Sequence, residues 1–401
     1  MAANLHELLL PQVVLAVVSR IRERQGFLGR WLGFQPTKFN PTSVSLEGPN
    51  TVAGDTRYAT FRYFDYTRVV AKGRAPGTGP ATVAQNPLAD VRVSCARFHN
   101  KIPLNYEELG NLSPIIGPNS NIDPGGQDYI MRQARFLATQ NNNVVELMSS
   151  GMMQDNLYFL QSGDNWLPVL GAPATGVAFQ LSFNVPSGNK GQLNMLGTGN
   201  IINVSWSNVG AQIYNHITQI KMAYAQLSGY ALTDIWVNSG VWYNIITNTE
   251  IRNLAGTAAT PFAEFDKLPD KGADGHPTGG YYGVLKADPS IKFHINDQVL
   301  VTNSDIDPSY GTAPAGATIV KMVPDKLAFF CTEPDPLWAR MYHGGEHVVE
   351  NPGMPGVLRR GYYFWKEYTT QPGAIDLLSL LNCVPLLFIP KVLAPGAVVF
   401  P

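Results

Sequence analysis

The spelling His343-Gly344-Gly345-Glu346-His347 is the one stretch of this chain whose residue types and spacing match a known piece of catalytic machinery. In the H-x-x-E-H arrangement of inverted zinc proteases, two histidines four residues apart on one helical face hold the metal and the carboxylate acts as base. That chemistry needs a helix. Two adjacent glycines inside the single turn cost about 2 kcal/mol of helix propensity. Asn351, Pro352, Gly353, Pro355 and Gly356 follow closely, and no helix downstream offers a third ligand. The stretch therefore reads as a loop tip, with a zinc-dependent hydrolase built on His343, Glu346 and His347 kept as the alternative function.

Other chemical signals are thin. Gly77 and Gly79 sit in a Gly/Pro tip but open no helix after a strand, so neither a phosphate loop nor a dinucleotide fingerprint is satisfied. There is no G-x-S-x-G elbow. His6, His99, His216, His276 and His294 are isolated from one another and from cysteines, and His216 and His294 lie in periodic segments as structural residues do. Asp65, Asp90, Glu107, Glu108 and Asp123 form no acid–base pair by spacing. No catalytic, cofactor-binding or metal-binding residue is assigned, and no cofactor is expected.

Composition points away from a solitary soluble enzyme. Charged residues make up 15% of the 401, against roughly 25% in ordinary soluble proteins. With 38 Gly, 30 Pro and 10% aromatic residues, the chain is rich in turn-punctuated β segments. So little charge implies apolar or neutral surface that other copies of the chain would bury. A net charge of -1 advertises no nucleic-acid surplus. Cys95, Cys331 and Cys383 are few, far apart and set among apolar neighbours, as buried thiols in a reducing compartment are. No basic n-region precedes the apolar run 8–18, and no run is long enough to span a bilayer, so a cytosolic product without a membrane is expected.

Read in order, residues 5–24 carry an amphipathic segment interrupted by Pro11, followed by Phe27, Leu28, Trp31, Leu32 and Phe34 in an apolar arm. The arm fits docking on a neighbour or packing in its own domain. Residues 56–72 and 90–97 alternate aromatic or apolar with polar residues around the Gly/Pro tip 73–81, the pattern of a protruding β-hairpin. Such a hairpin has little core of its own. Residues 104–112 read as a short helix. Asp123 as N-cap and Pro124 in the first turn open a long helix, 127–153, whose apolar positions are Ile130, Ala134, Leu137, Val144 or Val145, Met148 and Met152. Its other face is neutral: Gln127, Gln133, Gln140, Asn142 and Asn143 with Arg132. A turn-rich β region spans 157–206. Ser207 is read as the cap of a helix ending at Gly229, 232–238 as a strand, and Ser239 as the cap of the next helix, a compact α/β module. Strands follow at 291–295, 298–302, 317–322 and 326–332. The end of the chain is again β, at 362–369 and 376–389, with an apolar tail 392–400.

This order, α+β overall, resembles the major capsid proteins of tailed bacteriophages with the Hong Kong 97 fold, and among them the lambda-like major capsid protein E family. Three stretches carry the likeness: 91–153 (VRVSCARF, NYEELGNL and the long helix), 234–252 (DIWVNSGVWYNIITNTEIR), and the C-terminal part with VPDKL, AFFCT, YTTQP and DLLSLLNCVPLLFIP. The resemblance implies an N-terminal arm at 1–42 and an extended β-hairpin loop at 43–103 that laps over the adjacent subunit. It implies a peripheral domain at 104–206 with the spine helix 127–153, an axial domain at 207–360, and a return to the peripheral sheet with a C-terminal tail at 361–401. The loops 261–280 and 344–356 would then face the capsomer centre.

The implied function is a self-assembling shell subunit of the virion head, forming hexamers and pentamers of an icosahedral capsid in the bacterial host cytoplasm. Expected partners are a scaffolding protein, a portal, a decoration protein and packaged double-stranded DNA contacted without sequence reading. The sequence opens without a long acidic or helical prefix, so the scaffold is expected as a separate protein. Some relatives cross-link through a lysine of the extended loop; Lys72 stands beside the tip here, but no matching motif carries that chemistry over. A nanocompartment shell of the same fold is the related alternative.

Overall fold

The computed structural model of the chain describes residues 27–35, 38–40, 45–62, 90–105, 124–162, 165–171, 177–255, 263–264, 281–285, 288–302, 318–349, 355–370 and 373–401. The amphipathic segment 5–24, the hairpin tip with Lys72, residues 106–123 and most of the loop 261–280 lie outside these residues.

The chain begins with a short helix, α1 (Phe27–Trp31). Its open first turn is capped from a distance: the Leu28 and Gly29 amides donate to the Glu146 carboxylate at 2.8 and 2.7 Å. An acceptor with negative charge at a helix N-terminus satisfies orphan donors and the dipole together. Leu28, Leu32 and Phe34 are fully buried, so this part of the arm packs into its own chain. Strands β1 (Lys38–Asn40), β2 (Ser45–Glu47) and β3 (Thr51–Ala53) then lead to the hairpin, β4 (Tyr58–Arg62) paired antiparallel with β5 (Asp90–Ser94). The expected hairpin is thus present at its root.

Strand β6 (Ala96–Asn105) runs longer than the sequence predicted. Leu104 and Asn105, expected to open a short helix, are held as strand by the β21 ladder described below, since pairing overrides a weak local preference. Helix α2 (Pro124–Gln154) is the long helix, 31 residues and roughly 46 Å. Its first half is amphipathic as read, with Ile130, Ala134, Leu137 and Ala138 buried. From Val145 to Met153 it is buried on every side, including Glu146, Ser149 and Ser150, and Asn141, one turn after Leu137 on the apolar stripe, is fully buried too.

The region 157–206 starts with a separate three-stranded sheet, β7 (Leu157–Ser162), β8 (Asn165–Leu170) and β9 (Val177–Leu181), and continues as irregular chain. The α/β module follows. Helix α3 (Ile213–Ser228) starts six residues after Ser207, with Gln212 at its N-cap, because residues 207–211 turn instead of coiling; it closes at Gly229 as read. Strand β10 (Asp234–Val237) leads into α4 (Ser239–Thr247), capped by Asn238, whose side chain accepts from the Val241 amide at 2.8 Å. Ser239, expected as the cap, is the first helical residue. The helix breaks at Asn248, which in turn accepts from the Ile251 amide to open α5 (Thr249–Ala255).

Strands β11 (Ala263–Glu264), β12 (Tyr281–Leu285), β13 (Asp288–Ile295), the ribbon β14 (Val299–Thr302) and β15 (Thr318–Lys321), and β16 (Leu327–Cys331) complete the module. The chain then passes through β17 (Ala339–His343), β18 (Gly345–Val348), β19 (Val357–Arg360), β20 (Tyr362–Thr370), β21 (Gly373–Leu387) and β22 (Leu393–Ala397). Two large sheets result, one in the order β1-β2-β20-β21-β17-β3 with β6 also on β21, the other in the order β11-β12-β13-β10-β16-β22. Two pairings cross the partition that the resemblance implied. β17, inside the span 207–360, belongs to the β21 sheet, and β22, in the supposed tail, forms an edge of the module's sheet. Helix α2 lies against the first sheet: the Cys383 thiol meets the Met148 thioether at 3.5 Å, and Tyr362 donates its hydroxyl to the Ala138 carbonyl. Helix α1 joins α2 to the second sheet, with Trp31 edge-on to Trp236 of β10 at 5.2 Å.

Candidate assembly site

The motif at 343–347 lies where the hairpin leaves the β21 sheet. It is neither helical nor a loop tip: His343 ends β17 and Gly345 opens β18, and both strands are laddered, β17 to β21 and β18 to β19. Gly344 is the step between them, its amide donating to the Asn382 carbonyl at 3.0 Å. The two glycines are required by close approach. A Cβ at Gly344 would lie 3.0 Å from both the Cys95 Sγ and the Thr56 carbonyl oxygen, and one at Gly345 would lie 2.9 Å from the Asp55 carbonyl oxygen. Only glycine lets this strand cross the hairpin root with backbone against backbone.

Each remaining residue of the motif has a separate task. His343 is 2% exposed, and neither ring nitrogen has a hydrogen-bond partner. Burial pushes its pKa down to about 4, opposed by the nearby Asn382 backbone. Glu346 is 6% exposed and gathers the root. Its Oε1 accepts from Arg57 at 2.8 Å, Arg97 reaches Oε2 at 3.0 Å and Oε1 at 2.9 Å, and Asn382 Nδ2 donates at 2.7 Å. Those partners come from the entry to β4, from β6 and from β21, so a single carboxylate ties the hairpin to the sheet. His347 is exposed, with Nδ1 3.4 Å from the Gly356 carbonyl. With Glu346 committed to two guanidinium groups and His343 sealed in the sheet, the helical zinc geometry of the motif is not formed. Among the described residues no cluster of three or more ligating side chains occurs.

Further contacts fix the same root. Gly54 donates its amide to the His343 carbonyl at 2.9 Å, Cys95 donates to the Arg57 carbonyl at 2.8 Å, and Tyr342 donates its hydroxyl to the Thr56 carbonyl at 3.0 Å. Arg360 of β19 pairs with Asp55. Alternation along β4 and β5 then sorts the hairpin's faces. Ala59 and Phe61 turn inward, Phe61 meeting Phe388 edge-on at 5.5 Å, while Tyr58, Thr60, Arg62 and Arg92 face solvent.

The remaining sequence candidates are structural. His216 accepts from Trp206 Nε1 at 3.3 Å and contacts Asn203 Oδ1 at 3.0 Å; burial lowers its pKa. His294 bonds Asp234 at 2.7 Å and stacks on Trp236 at 4.5 Å. His99 stacks on Trp365, at 5.2 Å between ring centroids. All three cysteines are buried thiols, and burial pushes Cys95 up to about 12. His6, His276, Lys72, Asp65, Glu107, Glu108 and Asp123 lie outside the described residues. Arg57, Arg97 and Asn382 were missed from sequence, since nothing local marks an arginine 249 residues away from its carboxylate.

No protein-family model and no curated protein matches the sequence. Two crystal structures share its fold along almost the whole length. One, assigned as the capsid protein of an E. coli CFT073 prophage, superposes with a TM-score of 0.50 over 99% of each chain at 12% identity. The other, a phage-related protein of Bordetella bronchiseptica RB50, gives 0.52 over 97% of each chain at 9% identity. The chain has a phage capsid fold. Within that capsid fold the Glu346 clasp sits at the base of the β4–β5 hairpin, whose solvent-facing side carries Arg62 and Arg92.

Proposed function

We propose that the chain is a major capsid protein, the subunit of an icosahedral shell that encloses the double-stranded DNA of a tailed phage. The observation that carries this reading is the likeness to the prophage capsid structure over 99% of both chains. Low charge and a hairpin rooted by a buried carboxylate agree with it, because a subunit that buries surface on several neighbours needs few charges and a firmly aimed arm. In this reading residues 43–103 reach over the adjacent subunit, α2 is the spine of a peripheral domain, and the α/β module forms the axial part around the symmetry axes. The protein is structural, without catalysis or cofactor. It assembles with itself in the host cytoplasm, with a scaffolding protein, a portal and a decoration protein as further partners.

Negative-stain microscopy and mass measurement of the purified protein, alone and with its scaffold, test this. Capsid-sized shells or capsomer rings are expected. A folded protein that stays monomeric under all these conditions sinks the proposal. Shells that carry a protein cargo and never nucleic acid make the chain a nanocompartment subunit and remove the phage role.

A further inference from the structure

Resting on the shell reading, we propose that the solvent face of the hairpin root docks on the acidic loop Glu333–Leu337 of a second copy of this chain. The near-zero net charge hides a strong segregation. Residues 1–105 hold thirteen Lys and Arg against six Asp and Glu, and residues 213–335 hold eight against thirteen. One part of the sequence is thus +7 and the other -5.

The described residues show where that charge is uncompensated. Arg92 lies over the exposed ring of Tyr58 at 4.1 Å, and no carboxylate among the described residues pairs with it. Beside it Arg57 and Arg97 share the single carboxylate of Glu346, leaving an excess positive charge at the root. On the other side, three module carboxylates are taken by cations: Asp288 by Lys221, Asp325 by Lys321 and Asp234 by His294. Glu333 and Asp335 have no cation partner among the described residues. The adjacent Arg340 turns its Nε to the Pro336 carbonyl at 2.7 Å. Just after these two acids Leu337 projects with 62% of its surface exposed. An aromatic–cationic surface and an acidic–aliphatic knob are complementary in both charge and apolar content.

Geometry makes the match intermolecular. Trp338, next to the knob, gives its carbonyl to the Phe388 amide at 2.8 Å, and Phe388 is covered by Phe61 on the hairpin's inner face. The chain's own loop is therefore on the wrong side of its own hairpin to meet Tyr58 and Arg92. A contact between two different patches of identical chains is heterologous, and it propagates into rings or shells where a two-fold contact stops at a dimer.

Charge reversal tests the contact in the full-length protein, read by sedimentation and light scattering with unfolding curves as a folding control. Arg92→Glu alone, and Glu333→Arg with Asp335→Arg, should each raise the concentration needed for self-association about tenfold. The three changes combined in one chain should recover most of that loss. Equal self-association of wild type and both reversals overturns the contact while leaving the shell reading intact, and so does failure of the combined variant to recover. Normal shells of Arg92→Glu with less nucleic acid also overturn it, making this face a nucleic-acid contact. A wild type that is monomeric throughout overturns both the contact and the shell.

Discussion

His343 is a neutral imidazole sealed beneath the crossing of two strands, and its burial makes stability depend on acid. Its ordinary pKa is about 6.5, and the folded value is lowered to about 4 by desolvation. Above pH 6.5 both folded and unfolded chains hold it neutral, and its contribution is fully present. As the pH falls from 6.5 towards 4 the unfolded chain takes the proton first, so stability is lost progressively, by about 3 kcal/mol in all. Urea unfolding at pH 7 and pH 4.5 should show this loss in the wild type and much less of it in His343→Leu. Equal losses in the two proteins would remove His343 from the account. Glu346 gives the second residue-scale prediction. Replacing it with Ala leaves Asn382 without its buried acceptor and two arginines without their anion. That should cost about 2 kcal/mol, with Glu346→Gln in between because it can still accept. A thermal melt of both variants checks this, and an unshifted Glu346→Ala midpoint would show that the clasp holds nothing.

At the scale of elements, what was legible in the sequence was whatever repeats locally. The alternation in 56–72 and 90–97 found the hairpin, the three- and four-residue steps found α2, and Gly229 marked the end of α3. The caps lie one to five residues from the serines expected, since Ser207 and Ser239 carry the right side chain but the turn geometry selects Gln212 and Asn238. The long-range pairings were hidden. Nothing within 339–343 says that this strand joins β21 while the preceding β16 joins β10, because each is a five-residue strand whose partner is set by long-range packing. The candidate site failed for a related reason. His343 to His347 matched a helical spelling, yet its glycines serve a crossing with residues 54–57, and a crossing partner nearly 290 residues away has no local signature. The three- and four-residue steps gave one buried stripe on α2, whereas its second half is enclosed by both sheets and α1, and long-range packing of that kind leaves no local pattern.

For the molecule as a whole, α1 is a part of the N-terminal arm that the described fold needs. Leu28, Leu32 and Phe34 are at most 1% exposed, Trp31 reaches the module through Trp236, and Glu146 holds the first turn. Removing residues 1–35 would open a cavity where three large side chains sat and leave Glu146 buried with no donors from α1. Either loss alone costs several kcal/mol. Removing residues 1–25 touches none of these contacts. The shorter deletion should therefore keep the wild-type melting temperature, while the longer one should yield chain that is unfolded or aggregated. In the capsid reading, the shorter deletion, or shortening of 73–81, should also block shell formation by a subunit that remains folded. Circular dichroism melts alongside microscopy separate the two effects. A folded 1–35 deletion would mean that α1 is a passenger on the spine helix, and an unfolded 1–25 deletion would mean that the segment before α1 is part of the core.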